Sequence, residues 1–302
     1  MNRSKKVQLV LGGGGARGIA HIKVIELLKR DGYEIESVIG CSMGAVVGGV
    51  HCTGHLDIYR DWLLSLNRSQ LFKLLDFTLT NIGFLKGERV LGKMQDITGD
   101  QLIEDLPIPF VAVATDMIHR KEVAYREGDL YAAMRASMSI PGIFTPVMHE
   151  DSILVDGGVL NPLPLNLADR TSRSLIVGVS LYGNDGMRKE EQVAKKNWLQ
   201  KKLFPTKSKS ESVQPRLSLV DLMTKSYELT QNRLVELTVA AYQPDILIEI
   251  PRSACGLFDF HKAAHMLEIG EEYYEKAMSG YRQQGSARRH ARRGTLRWLF
   301  GK

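Results

Sequence analysis

Short apolar runs alternate with helical patterns over the first part of the chain. Val7 to Leu11 is a mostly apolar run of strand length, and apolar positions at helical spacing follow across 18–30. Ser37 to Gly40 predicts a second strand, and Met43 to Cys52 predicts the helix that leaves it. Because strand and helix alternate at this spacing, we predict an α/β fold with a parallel sheet and helices on its faces.

The alternation continues downstream without an internal repeat. The runs 109–115 and 175–181 are almost wholly apolar, as expected of strands that are covered on both faces. We therefore predict a single domain over 1–281. The patterns also predict strands over 152–155 and 245–250 and helices over 215–241 and 259–281.

The charge is distributed unevenly. The 302 residues carry a net charge of +6, although 188–209 alone has a net charge of +6 and 282–302 one of +7, so the remainder is acidic. Residues 188–213 are polar, charged and interrupted by a proline, which indicates a basic surface excursion. We interpret 282–302 as a basic C-terminal tail.

The remaining composition is that of an ordinary globular protein. Hydrophobic residues make up 44% of the chain and charged residues 25%, enough for a sizeable core. Three scattered cysteines argue against a disulfide framework. The apolar stretch that follows the basic start is too short for an export signal, and no run has the length of a membrane span. We therefore expect a cytoplasmic protein.

The pentapeptide Gly40-Cys41-Ser42-Met43-Gly44 lies between the second predicted strand and its helix. In a Gly-x-Ser-x-Gly turn the serine adopts a strained backbone conformation, and the flanking glycines, here Gly40 and Gly44, allow close packing. The turn exposes the serine oxygen beside the free N–H groups of a helix N-terminus. This context favours Ser42 as a nucleophile over an ordinary glycine turn.

The glycine run that ends the first strand has two interpretations. Gly13-x-Gly15-x-x-Gly18 fits a dinucleotide-binding fingerprint, but the second strand ends without the carboxylate that would bind the ribose. No Gly-Lys-Ser/Thr follows, so a P-loop is excluded. The alternative is an oxyanion hole formed by backbone N–H groups of Gly13, Gly14 and Gly15, with Arg17 close by.

A serine nucleophile needs a base, and Asp156 is the candidate. Asp156 directly follows a predicted strand and so lies at its end, and Gly157-Gly158 leaves room for a partner to approach. The alternative is a carboxylate hydrogen-bonded in an Asp-Gly turn. The eight histidines lie in helices and loops rather than at a strand end flanked by small residues, which argues against each as the base. His21, inside the first helix, is expected to pack near the glycine loop.

Four blocks of the chain resemble the patatin-like phospholipases, specifically the bacterial neuropathy-target-esterase-like branch, over about 7–181 and 244–280. They follow one another in the family's order and spacing: Gly13-Gly14-Gly15-Ala16-Arg17-Gly18, Gly40-Cys41-Ser42-Met43-Gly44, Arg135-Ala136-Ser137 with Ile140-Pro141-Gly142-Ile143-Phe144-Thr145-Pro146-Val147, and Asp156-Gly157-Gly158.

The resemblance implies a three-layer α/β/α sandwich and a Ser-Asp dyad that works without a histidine, a metal or a cofactor. Ser42 would attack an ester carbonyl and Asp156 would take its proton, giving an acyl-enzyme that water then cleaves. Arg17 would help to organise the oxyanion loop. Among departures from the family pattern are Lys23 and Ser139, and we expect neither to touch the dyad.

The substrates implied are carboxylic esters of phospholipids or lysophospholipids. The Leu- and Phe-rich stretch 63–85 predicts either a cap over an acyl-chain channel or helices that simply cover the sheet. The basic stretches 188–209 and 282–302 suit a solvated surface or peripheral contact with anionic lipid at the inner membrane face. They lack a nucleic-acid motif. The alternative to an enzyme is a regulatory or binding protein on a patatin scaffold, with little or no catalytic activity. The sequence predicts no oligomeric state.

Overall fold

A mixed eight-stranded sheet forms the centre of the molecule. The computed structural model describes residues 5–80, 83–184 and 219–300. The strand order is β10-β9-β1-β2-β5-β8-β7, with β6 also paired to β5. The strands from β10 to β5 run parallel, whereas β6 and β8 run antiparallel to β5. The strands are β1 (Lys5–Leu11), β2 (Tyr33–Cys41), β3 (Phe77–Thr80), β4 (Gly83–Leu85), β5 (Phe110–Asp116), β6 (Lys121–Tyr125), β7 (Val147–Met148), β8 (Ile153–Asp156), β9 (Leu175–Gly183) and β10 (Ile246–Pro251).

Helices cover both faces of this sheet, and β3 and β4 form a separate antiparallel pair. None of the helices in the described ranges is long and apolar enough to cross a bilayer. The helices are α1 (Ala20–Arg30), α2 (Met43–Cys52), α3 (Leu56–Ser65), α4 (Arg68–Leu74), α5 (Glu88–Thr98), α6 (Leu130–Ser137), α7 (Leu219–Tyr242) and α8 (Ala263–Phe300).

The core lies in two layers because successive side chains of a buried strand point to opposite faces. In β1, Leu9 and Leu11 belong to the large cluster that includes α1, α2 and α8, whereas Val10 belongs to a cluster with Val235 of α7. Strands that are apolar on both faces need helices on both. The predicted three-layer α/β/α sandwich with a mostly parallel sheet is confirmed.

The register across β5 brings distant parts of the chain together. Cys41, at the end of β2, pairs with Val113 on one side of β5. Asp156, at the end of β8, pairs with Ala114 on the same side, because β6 occupies the opposite side of β5 at these positions. Because Val113 and Ala114 are neighbours, Ser42 and Asp156 are placed at the same level of the sheet. Leu11 pairs with Gly40, so the glycine loop after β1 begins at this level too.

The predicted elements agree with the observed ones to within a few residues at most ends. β2 is longer than predicted because its first residues pair with β1 from Lys5 onward. The last helix was predicted to end near 281, but its backbone continues to Phe300. The basic excursion 188–213 lies outside the described residues. The pattern did not predict β6, whose partly buried residues lack a clear alternation.

Two helical glycines make a matched test of this packing. A Cβ on Gly44 in α2 would lie 2.1 Å from the Leu11 carbonyl oxygen, whereas a Cβ on Gly92 in α5 would meet open space. We expect Gly44→Ala to lower the free energy of unfolding by about 2–3 kcal/mol or more, because backbone must move. Gly92→Ala should raise it by roughly 0.5–1 kcal/mol. Denaturant unfolding measures both, and equal effects would contradict the close approach of β1 and α2.

Candidate active site

Ser42 lies in the sharp turn between β2 and α2. Its φ of 55° and ψ of −123° place a non-glycine residue in a strained conformation. Its backbone N–H donates to Ser137 Oγ at 2.9 Å, and that hydroxyl donates to the Val113 carbonyl at 2.6 Å. The turn is therefore fastened to β5 through the Ser137 side chain.

Asp156 ends β8 and is almost fully buried. Its Oδ1 accepts the Gly158 N–H at 2.7 Å, and the Cys41 thiol lies 3.9 Å from the same oxygen. The second carboxylate oxygen, Oδ2, is buried without a hydrogen-bond partner among the described residues. A buried carboxylate oxygen without a donor is costly, which makes Oδ2 a ready acceptor for a proton.

The segment after α6 connects the two residues. Ser137 holds the Ser42 turn, and two residues later the Ser139 carbonyl accepts the Asp156 N–H at 2.9 Å. The Ser139 hydroxyl in turn binds Arg135, which also reaches Thr145. The expectation that Ser139 does not touch the dyad residues was wrong, since its backbone contacts Asp156.

Burial controls the charge of Asp156. Desolvation raises the pKa of this carboxyl to about 6, despite the opposing effects of the Ser42 hydroxyl, the Gly158 N–H and the Tyr227 hydroxyl. Both hydroxyls lie near the carboxylate without making a hydrogen bond of good geometry to Oδ2. Near pH 7 most of the Asp156 carboxyl is ionised and can accept a proton.

The glycine loop supplies fewer free donors than predicted. The Gly12 and Gly13 N–H groups donate to the Val179 and Pro162 carbonyls, at 3.0 and 2.9 Å. Gly13 lies against Ser42, with 3.1 Å from its would-be Cβ to the serine Cβ. The N–H groups of Gly14 and Gly15 have no acceptor among the described residues. Of the three predicted donors, Gly14 and Gly15 therefore have free N–H groups, and that of Gly13 is occupied.

Arg17 supports this loop from inside the protein. Its buried guanidinium donates from Nε to the Gly14 carbonyl at 3.0 Å and lies 3.4 Å from the Glu228 carboxylate. His21 Nε2 binds the Gly12 carbonyl at 2.9 Å, and burial lowers the pKa of this imidazole to about 4. A neutral His21 therefore donates to the loop, as expected from its position in the sequence.

A cavity of about 180 Å³ opens over Ser42 and Asp156. Gly14 and Gly15 form one wall, the loop 140–143 a second, and α7 a third, and no histidine lines it. Tyr227 of α7 is half-buried there, and its buried hydroxyl lies 3.2 Å from the position of a Cβ on Gly158. Burial, together with Asp156, raises the pKa of the Tyr227 phenol, so it stays protonated.

A second, apolar cavity of about 250 Å³ lies beyond Met43, the residue after Ser42. The predicted Leu- and Phe-rich stretch forms much of its wall. Phe144 and Phe258 line the apolar cavity, whereas their sequence neighbours Ile143 and Leu257 line the cavity over Ser42, so the two cavities lie on either side of these short segments. The Ser42 turn therefore has the cavity over Asp156 on one side and the apolar cavity on the other.

His51, His119 and His261 lie outside the cavity over Ser42 and Asp156. His51 is in the last turn of α2, where burial lowers the pKa of its imidazole to about 4. His119 binds Asp116 at 2.7 Å, and His261 lines the apolar cavity. The described residues include no group of three or more His, Cys, Asp or Glu side chains that could hold a metal ion.

Sequence patterns did not indicate the role of α7. Its helix was predicted, but Tyr227 and Gln231 reach the site from about seventy residues beyond Asp156, and no spacing rule connects them. Ser137 belongs to the block Arg135-Ala136-Ser137 that carries the family resemblance, but the sequence assigned no role to this serine. Its hydrogen bonds become visible only when α6 is packed against β5.

A family model described as patatin-like phospholipase matches residues 9–169, more than half of the chain. The chain belongs to the patatin-like phospholipase family. At the level of the family this indicates a lipid hydrolase. An uncharacterized NTE family protein of Mycobacterium tuberculosis is 33% identical over an alignment of 333 positions, gaps included, which covers 92% of each chain.

Neuropathy target esterase sws of Drosophila melanogaster is 31% identical over 186 residues, which cover 59% of this chain and 13% of that protein. The expected neuropathy-target-esterase-like branch is therefore confirmed. VipD from Legionella pneumophila aligns with a TM-score of 0.44 and 14% identity, covering 91% of this chain and 67% of that one. That likeness is too distant to carry weight, and the fold of this patatin-like protein rests on the sheet described above.

Tyr227 makes the electrostatics of the site testable. Its hydroxyl lowers the pKa of Asp156, so Tyr227→Phe should raise that pKa. The acidic limb of the pH dependence of kcat/KM for a soluble ester should move to higher pH by about one unit. Tyr242→Phe, at the partly exposed end of the same helix, is the matched control and should leave the limb in place. A purely structural Tyr227 would change the rate without moving the limb.

Proposed function

We propose that this protein is a serine lipid acyl hydrolase that works through a dyad of Ser42 and Asp156. The observation that carries the proposal is the buried, unpartnered Asp156 Oδ2 beside a serine in a strained turn. Asp156 takes the proton as Ser42 Oγ attacks an ester carbonyl, and it gives that proton to the leaving oxygen as the ester C–O bond breaks and the alcohol departs. Water then attacks the acyl-enzyme, with Asp156 as its base, and releases the fatty acid.

The donors for the oxyanion are proposed to be the free N–H groups of Gly14 and Gly15. Preorganised backbone donors act without reorganisation as the charge develops, and each typically lowers the barrier by about 2.7–4 kcal/mol. Gly13 contributes by its lack of a side chain, because its N–H is occupied by Pro162. Arg17 holds the Gly14 carbonyl and so orients the loop.

The substrate is proposed to be a carboxylic ester of a phospholipid or lysophospholipid. The apolar cavity beyond Met43 suits an acyl chain, since most of its lining residues are Leu, Phe, Met and Val. In the cavity over Ser42, the polar side chains of Glu228 and Gln231 suit the more polar part of the molecule. The basic stretches 188–209 and 282–302 add proposed peripheral contacts with anionic membrane lipid.

The rival function is a binding or regulatory protein on this scaffold with little turnover. The strained Ser42 backbone and the costly burial of Asp156 argue against it, because a binding scaffold gains nothing from either. Such costs are typical of sites that carry out chemistry.

A fluorophosphonate probe separates the two functions, since it reacts with an activated serine. The native protein should be labelled, and Ser42→Ala should not. Ser65→Ala, which removes an exposed hydroxyl at the end of α3, is the matched control and should be labelled like the native protein. Labelling that persists in Ser42→Ala would exclude Ser42 as the nucleophile.

Asp156→Asn should separate activity from stability. The pKa of Asp156 is raised on folding, so the folded state loses stability as pH rises from about 4 through about 6. The loss is on the order of 3 kcal/mol. Asp156→Asn, which does not ionise, should lack that loss, be more stable than the native protein at pH 8 and hydrolyse esters at least a hundredfold more slowly. Urea unfolding at several pH values and ester turnover measure the two effects. Retained activity would overturn the dyad.

A further inference from the structure

The segment from α4 to the start of α5 presents aromatic and basic side chains to the solvent. Phe72, Phe77 and Phe84 are 64%, 60% and 55% exposed. The rings of Phe72 and Phe77 are in contact, with centroids 5.5 Å apart. Such exposure is unusual for phenylalanine, and an apolar patch rimmed by polar residues marks an interaction surface. We call this surface the aromatic–basic rim: Phe72, Phe77, Phe84, Lys73, Lys86 and Arg89.

The charges of the rim are of one sign. Lys73, Lys86 and Arg89 are exposed and make no ion pair with a carboxylate among the described residues. Of the two acids nearby, Asp76 is buried and its carboxylate is occupied by backbone N–H groups at the start of α5. The other, Glu88, is exposed, so three cations and one anion leave the surface with a net positive charge. Outside its two basic stretches the chain is acidic overall, so a basic surface here is a local feature. Its charge complements an anionic surface.

The rim is connected to both cavities of the site. Phe72 lines the mouth of the apolar cavity opposite the exposed Phe258. The Phe84 and Leu85 N–H groups both donate to the Ile143 carbonyl at 2.9 Å, and Ile143 lines the cavity over Ser42. A surface bound at the rim would therefore face the entrances through which a lipid must pass.

We propose that the aromatic–basic rim is the surface by which this protein docks on an anionic lipid bilayer. The phenyl rings enter the interface, and the lysines and the arginine contact the headgroups. The inference rests on the proposed lipid substrate, and it adds a docking surface distinct from the two basic stretches. A docked bilayer lies against the entrance of the apolar cavity, so a lipid chain can enter without crossing water.

The test measures binding apart from hydrolysis. Ser42→Ala protein is sedimented with vesicles of phosphatidylcholine alone or of equimolar phosphatidylcholine and phosphatidylglycerol. Adding Phe77→Ser and Phe84→Ser should weaken binding at least about tenfold. Lys73→Glu and Lys86→Glu should each weaken binding about fivefold or more, on the anionic vesicles only. The matched control, Leu229→Ser with Leu237→Ser, removes two exposed leucines of α7 and should bind like the parent.

Three outcomes would contradict the proposal that the rim is the docking surface. They are unchanged binding in the Phe77/Phe84 variant, loss of binding on deleting 282–302 alone, and a change of molecular mass by light scattering that shows a second copy occupying the surface. In protein with Ser42 intact, the Phe77/Phe84 variant should still hydrolyse a soluble short-chain ester at the native rate, which also shows that it is folded. If the native protein hydrolyses no ester but still binds vesicles through the rim, the proposed function is contradicted and the proposed docking surface is retained.

Discussion

The pairing of β2 and β8 with successive residues along one side of β5 is the constraint on which the site depends. Val113 and Ala114 are adjacent in β5, and they fix Cys41 and Asp156 at one level of the sheet. Parallel pairing alone would not do this, since β8 runs antiparallel to β5. The segment from Ser137 to Ser139 then ties the Ser42 N–H and the Asp156 N–H to the same short piece of chain. Small relative movements of Ser42 and Asp156, the proposed nucleophile and base, are thereby resisted by three strands and one helix end.

The same packing sets the chemistry. Complete burial raises the pKa of Asp156 toward neutrality, and the few donors around it keep that pKa from rising further. A base with a pKa near 6 is mostly ionised at neutral pH yet still holds a proton well enough to accept one from serine. The neutral His21 and the buried Arg17 serve the glycine loop rather than the proton transfer. The division of roles follows from position: one set of polar groups faces the cavity and another supports its wall.

The sequence predicted much of this arrangement, for identifiable reasons. The β2–α2 junction was predictable because an apolar strand, a Gly-x-Ser-x-Gly turn and a helix leave few local alternatives, and α2 was predicted with its observed ends. Asp156 was predictable as a strand-end carboxylate before two glycines. The pairing of Gly13 with Pro162 was not, because it depends on a loop one hundred and fifty residues away. Tyr227 was missed for the same reason, since only the packing of α7 over Gly158 brings it near the base.

By itself, the sequence determined the family, the layered α/β fold and the residues proposed as nucleophile and base, because local patterns and short motifs encode them. Only the tertiary structure decided which glycine N–H groups are free, which residue approaches the carboxylate from α7, and that an apolar cavity lies on the far side of Met43. Those features arise from contacts between segments far apart in the chain. Hydrogen-bond competition and burial are properties of the assembled sheet and helices, and no local pattern records them.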